Sequence, residues 1–234
     1  MSRSILEFGA LALLVAATAC DHGPVVTQDT EAGEHAYREL SQRWLEWVAG
    51  QPWSTGPVND STGEQCASEQ SGKVWLLAGT SGGAAERTCE IPRNKYVFFP
   101  LENIWSAPPP ELVDTPEEEA EFIESFEVFF PEWRAGTCSL TLRLDGEDLL
   151  GDTEALDEET WVSILEPFEV ELDEDNFGGE GSLGGTRTAL IAGHWALLRP
   201  LEPGDHVLEF GGAICDGEEV YFETSVTYTL HVAE

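Results

Sequence analysis

Apolar residues recur at three- and four-residue spacing over residues 33–49, as Tyr37, Leu40, Trp44, Trp47 and Val48. That spacing places them on one side of a helix, which Gly50 and Pro52 then stop. The stripe is continuous, so it reads as a core-facing side rather than an aromatic binding strip. Residues 53–72 are rich in Gly, Ser, Thr and Asn and read as loop. The apolar runs 73–79 and 95–100 read as buried strands, with a turn at 80–85. Residues 106–111 are proline-rich coil. Thr115-Pro116-Glu117-Glu118 then has the makings of a helix start: a capping hydroxyl, proline at the first position and glutamate three after the cap. Phe122, Ile123, Phe126 and Phe130 supply its buried side, and Pro131 is expected to end it.

After Gly136 the period shortens to two. Residues 138–144 alternate, and Asp145-Gly146 supplies a turn. Residues 168–172, 188–198 and 206–210 read as further strands, with a turn at 200–204. The last strand is the clearest: Val220, Phe222, Thr224, Val226, Tyr228, Leu230 and Val232 fall on one side over seven alternations. The expected fold is mainly β with two short helices, an α+β chain whose C-terminal half is an antiparallel β-sandwich. Residues 33–135 form a mixed helix and strand half and residues 136–234 the sandwich-like half, packed as one unit.

The N-terminus changes the picture of where this fold works. Residues 8–17 are apolar, the length of a signal-peptide core and too short to span a bilayer. Ala17-Thr18-Ala19 has the small-x-small form of a cleavage site, which defines a signal peptide over residues 1–19 and leaves Cys20 at the new N-terminus. The segment resembles a bacterial lipobox, although Ala17 stands where leucine is usual. The resemblance implies diacylglycerol and acyl chains on Cys20, and two or three chains hold a protein stably on a membrane. Plain secretion with a spare cysteine is the other reading. Residues 20–32 are polar and read as a tether. Lipidating Cys20 leaves Cys66, Cys89, Cys138 and Cys215, an even number suited to disulfides in an oxidising compartment. Of the three possible pairings, Cys66–Cys89 and Cys138–Cys215 each fall within one half of the chain. No C-x-x-C spacing points to zinc.

Charge narrows the partners. The 234 residues carry 45 Asp and Glu against 11 Lys and Arg, a formal net charge of −34. Such a field repels phosphates, so nucleic acid is excluded as an expected partner. Eight Trp and eleven Phe supply enough apolar area for a core, which argues against disorder. Candidate chemistry is sparse. Asp173, Asp175, Asn176 and Glu180 begin like a calcium loop, but Phe177 and Gly184 stand where an EF-hand needs ligands. An irregular calcium site is the remaining version, and calcium the one cofactor considered. Asp60 and Glu102 lie beside apolar strands and are the first carboxylate pair to test for polysaccharide hydrolysis. Gln70 and Asn103 complete a polar cluster that punctuates the strands of the first half. Asp60 capping a turn and Asn103 closing a loop are the simpler alternatives. The five histidines lack zinc spacing, and no G-x-S-x-G is present.

Asp60-x-Thr62-Gly63-x-x-Cys66, Gln70-x-Gly72-x-Val74-Trp75-x-Leu77-Ala78-Gly79, Arg87-x-Cys89 and Phe99-Pro100-x-x-Asn103 are similar to a family of exported bacterial proteins with no assigned activity. So are Leu144-Asp145-Gly146, Glu174-Asp175-Asn176 and Gly193-His194-Trp195-x-Leu197-Leu198-x-Pro200-Leu201-x-Pro203-Gly204-x-His206. The resemblance implies a β-rich fold and export, and no reaction. The expectation is a cell-envelope lipoprotein with a non-enzymatic binding or structural role, its partner an envelope protein or a carbohydrate. A polysaccharide hydrolase and a calcium-stabilised adhesion module are the alternatives.

Overall fold

A computed structural model describes residues 23–28, 31–151, 160–177 and 184–234. Residues 1–19, read as a signal peptide, together with Cys20 and Glu180, lie outside the described residues. Helix α1 (Glu31–Ala49) is followed by β1 (Val74–Leu76), β2 (Gly83–Ile91) and β3 (Tyr96–Ser106). Helix α2 (Pro116–Gly136) leads into β4 (Thr137–Leu144), β5 (Glu147–Asp148), β6 (Trp161–Leu172), β7 (Gly185–Leu198), β8 (Gly204–Asp216) and β9 (Glu219–Val232). The chain is therefore mainly β with two helices, as its pattern predicts.

Two sheets hold these strands, in the orders β1-β3-β7-β6 and β2-β9-β8-β4-β5. Pairs between strands of the C-terminal half are antiparallel, namely β4/β5, β4/β8, β6/β7 and β8/β9. Each parallel pair includes a strand of the first half, β1 with β3 and β2 with β9. Each sheet thus contains strands from both halves.

The sheets meet face to face. Val97, Phe99 and Leu198 of the first pack against Leu208, Phe210 and Leu230 of the second, and the Phe99 and Phe210 rings are 4.4 Å apart. Helix α1 covers the opposite side of the first sheet. Its Trp44 meets Trp195 edge-on at 5.3 Å, and Trp195 stacks on Phe98 at 5.2 Å. Trp44 Nε1 donates to the Leu77 carbonyl at 2.9 Å, which fixes the helix on the sheet. With layers on both sides, β3 and β7 are buried on both sides over most of their length, so their sequences read largely as apolar runs. Each fully buried aromatic of this core contributes roughly 2–3 kcal/mol.

Both disulfides form as Cys66–Cys89 and Cys138–Cys215, with Cα separations of 5.9 and 5.7 Å. Within the stretch read as a tether, Val25 bridges Leu198, and Val26 N–H donates to the Leu197 carbonyl at 2.8 Å. Tyr37 Oη donates to the Val26 carbonyl at 2.6 Å, so the chain is attached to the sheet from this point on.

Two local expectations are corrected. Strand β2 begins inside the stretch read as a turn and runs on through residues assigned to no element. Only one of its sides is buried, and that side carries Arg87 beside Cys89 and Ile91, so no apolar alternation betrays it. Helix α2 does not end at Pro131 but continues to Gly136. Proline removes one helical hydrogen bond, but Trp133 beyond it is buried against Phe222, with ring centroids 5.8 Å apart. The N-terminus of α2 carries the expected capping box between Thr115 and Glu118.

Candidate functional site

Strand β3 is irregular between Pro100 and Glu102, where its register against β7 shifts. Bulges of this kind re-aim side chains. Glu102 lies opposite His194 of β7, and its Oε1 is 2.6 Å from His194 Nδ1. Trp133 Nε1 of α2 donates to the other oxygen, Oε2, at 2.5 Å. The Glu102 and His194 side chains are 0% and 1% exposed. Trp161 of β6 packs edge-on against the imidazole at 4.9 Å, and the Arg134 guanidinium sits over the Trp161 ring at 5.5 Å.

Glycines create the room for this group. A Cβ on Gly212 of β8 would stand 3.0 Å from Glu102 Cγ, so the carboxylate side chain lies flat against the second sheet. A Cβ on Gly193 would stand 2.4 Å from the Glu102 carbonyl oxygen and 2.7 Å from Asn103 Cα. Only glycine permits that approach. The group marks a seam. On one side lies the core between the sheets, and on the other α2 packs Phe130 against Leu190 and Ala192. An acceptor held by two donors from different elements ties β3, β7 and α2 together at one point. Removing ionised groups from water is costly unless their partners replace the lost solvation. Both carboxylate oxygens have such partners here.

The remaining candidate residues are spread over separate networks. Asp60 sits in the loop before β1. Its Oδ1 accepts from the Thr62 N–H at 2.8 Å and hydroxyl at 2.9 Å, and its Oδ2 from the Gln65 N–H at 2.7 Å. Burial works to raise the Asp60 pKa, but these hydrogen bonds outweigh it and hold the carboxyl below its ordinary value. Asp60 therefore caps its own turn, the simpler of its two readings. Gln70 clamps that loop to β1. Its amide donates to the Cys66 and Leu76 carbonyls and accepts from the Leu76 N–H. Asn103 stands within β3 opposite Gly193 rather than in a loop, and its Nδ2 is buried without a hydrogen-bond partner. Among the described residues, Asp60 and Glu102 share no hydrogen-bond partner.

The acidic stretch after β6 also closes on itself. Asp173 Oδ1 accepts from the Asp175 N–H at 2.8 Å, and Asn176 Nδ2 donates to the Asp173 carbonyl at 3.0 Å. Asp175 accepts from the Ser54 N–H and hydroxyl. The Ser54 hydrogen bonds hold its carboxyl below the ordinary value. Among the described residues no three His, Cys, Asp or Glu side chains stand together as a metal group.

Sequence reasoning named Glu102 and Asn103 but did not join Glu102 to its partners His194 and Trp133. The available signal was a carboxylate and an imidazole, each set in an otherwise apolar strand. It also missed Arg87, which is buried with four acceptors and no carboxylate. Its Nη1 donates to the Ala78 carbonyl, the Gly79 carbonyl and Tyr228 Oη, and its Nη2 to the Val58 carbonyl. Burial raises the pKa of Tyr228, whose ring lies 5.6 Å from this guanidinium.

No protein-family model matches the chain, and no curated protein matches it. Among solved structures, the cysteine protease inhibitor EhICP2 from Entamoeba histolytica matches at 12% identity, over 68% of this chain and 96% of the inhibitor, with a TM-score of 0.24. At that score the likeness carries no argument about fold or function.

Proposed function

We propose that the protein is a cell-envelope lipoprotein, anchored through Cys20, whose sandwich binds a partner or serves a structural role without catalysing a reaction. The observation that carries the non-catalytic side is the burial of Glu102 and His194, together with the internal hydrogen bonds that occupy Asp60 and Gln70. A hydrolytic carboxylate must reach its substrate and stand at a set distance from a second one. The two disulfides support residence in an oxidising compartment. Ala17-Thr18-Ala19-Cys20 supports the anchor.

The test is the intact mass of protein made with its native leader and extracted from membranes, with and without reduction. The expected species is Cys20 to Glu234 carrying acyl chains, lighter by four hydrogens before reduction. An unacylated chain in the soluble fraction overturns the anchor. Oligosaccharide turnover by the same preparation, lost in Asp60→Asn or Glu102→Gln, overturns the non-catalytic reading.

A further inference from the structure

The stretch read as a tether is in part a strap. Val25 bridges Leu198, and Val26 N–H donates to the Leu197 carbonyl. Arg199 N–H donates to the Pro24 carbonyl at 2.7 Å, and Arg199 Nε to the Gly23 carbonyl at 3.1 Å. The chain is therefore fixed to the end of β7 from Gly23 onward. Only three residues, Cys20 to His22, separate the expected cleavage point from Gly23. At full stretch they reach about 11 Å, whereas a free tether over residues 20–32 would reach about 45 Å.

The end of β7 marks one end of the sandwich. Leu198 pairs with Val97 beside the start of β3, and Val74 at the start of β1 pairs with Tyr96. In the second sheet Ile91, Val232 and Gly204 stand in register at their strand ends. Lys95, Val97, Leu201 and Val232 line one hollow, so both sheets finish at the same place.

Cations gather at this end. The chain's two lysines are Lys73, next to β1, and Lys95, next to β3; Arg93 lies between β2 and β3, and Arg199 follows β7. Lys95 Nζ donates to the Gly72 carbonyl, which draws the two lysine segments together. Lys73 and Arg93 are exposed, and among the described residues neither side chain meets a carboxylate. Elsewhere Arg87 and Arg187 are buried, Arg38 pairs with Glu166, Arg134 sits over Trp161, and Arg143 stands across from Asp148 and Glu209. Acids are present at this end too, at Asp145, Glu202 and Asp205 on the β8 side, but Asp145 and Asp205 face His206 and His231 at 2.7 Å. The opposite strand ends carry Asp173, Glu174, Asp175, Asp216, Glu218 and Glu219.

We infer that the strap end of the sandwich is its membrane-facing surface, held against phospholipid headgroups by the short link from Cys20, with Lys73, Arg93, Lys95 and Arg199 set toward their phosphates. The net charge of −34 keeps the unanchored protein away from phosphates, so this surface acts only once the anchor holds it there at high local concentration. The acidic opposite end then lies farthest from the bilayer, where repulsion is screened. The inference rests on the reading of Cys20 as the anchor and adds which way that anchor orients the fold.

The test attaches the disulfide-intact mature protein to phosphatidylcholine vesicles through Cys20, either as the acylated species or by coupling the Cys20 thiol to a maleimide-bearing phospholipid. The other four cysteines are held in disulfides, so Cys20 alone couples. A membrane-impermeant amine reagent reads Lys73 and Lys95, and radical oxidation reads Tyr221, 77% exposed near the start of β9. Both lysines are expected to react severalfold more slowly on vesicles than in the same protein coupled to a soluble headgroup, with Tyr221 unchanged. A Gly/Ser insert of about 20 residues before Gly23, spanning roughly 25 Å on average, should return the lysines to their free rates. Arg93→Glu, without the insert, should return them in part. Equal lysine rates on and off vesicles, slowed oxidation of Tyr221 instead, or protection left intact by either change overturns the inference. The maleimide route does not depend on acylation in the cell. A soluble, unacylated species in the mass test therefore refutes the anchor, while unprotected lysines refute the orientation alone.

Discussion

Glu102 has partners on both oxygens from two different elements, so its loss takes one contact from each. Glu102→Ala leaves the Trp133 indole N–H and the His194 ring without this acceptor at a buried position. Unpairing a buried group of this kind costs about 3–5 kcal/mol, which denaturant unfolding measures directly. Glu102→Gln keeps the shape and one acceptor oxygen and should lose less. If Glu102→Ala costs under about 1 kcal/mol, the group does not hold the seam. His206 gives a second residue-scale expectation. Burial pulls its pKa down. Its Nδ1 nevertheless faces Asp145 Oδ2 at 2.7 Å and its Nε2 faces the Glu202 carbonyl at 2.9 Å, and the net effect is a raised value. Only the doubly protonated ring can donate to both. The folded pKa exceeds the unfolded one, so the pair's stabilisation is complete below about pH 6.5 and is lost as pH rises through the folded value. Solvent screening limits it to roughly 1 kcal/mol at most. Asp145→Asn should move the His206 titration, followed by NMR, down toward its ordinary value, and an unmoved midpoint would refute the pairing. Asp145 was legible only as a turn residue, because a turn motif does not say which distant side chain its carboxylate will meet.

Helix α2 shows at the element scale where local rules hold and where packing overrides them. Its start is written locally: Thr115 accepts from the Glu118 N–H while Glu118 accepts from the Thr115 N–H. A capping box lies within four residues, so sequence suffices to find it. Thr115→Ala should cost about 1 kcal/mol of stability. Its end is not local. Pro131 would stop an isolated helix, yet one more turn is held by Trp133, whose indole reaches Glu102 on β3, and by Phe222 on β9. Those contacts arise from strand pairings that periodicity cannot specify. Because Pro131 is exposed, replacing it loses little packing and restores a backbone donor. Pro131→Ala is therefore expected to raise stability by about 1–3 kcal/mol, read as an increased melting temperature. A lowered melting temperature would mean that the proline shapes the approach of Trp133 to the seam. Strand β2 was hidden for the opposite reason. Its buried side is built around Arg87, and a strand whose inward residues include a guanidinium has no hydrophobic alternation to read.

At the scale of the whole molecule, the change of rhythm near residue 136 is real but does not divide the fold. The pattern separates a mixed half from a strand-rich half, because helical and strand periods are properties of short windows. Which strands become neighbours depends on contacts between residues far apart in the chain. Strands β3 and β7 pair across the boundary, as do β2 and β9. Leu101 and Phe99 from the first half complete a core whose other wall is Phe210, Tyr228 and Leu230 from the second. A fragment ending before residue 136 would expose the buried sides of β1 and β3 and leave β2 without β9, its strand partner. A fragment beginning there would lose β3, one of the two central strands of the first sheet, and the helix that covers that sheet. Neither fragment, expressed alone under oxidising conditions, should show a cooperative thermal transition or slow amide exchange. Mixing the two should restore both through the β3/β7 and β2/β9 ladders. A cooperative melt from residues 136–234 alone would show that β4 to β9 close their own core, and that the first half is an addition to it rather than a wall of it.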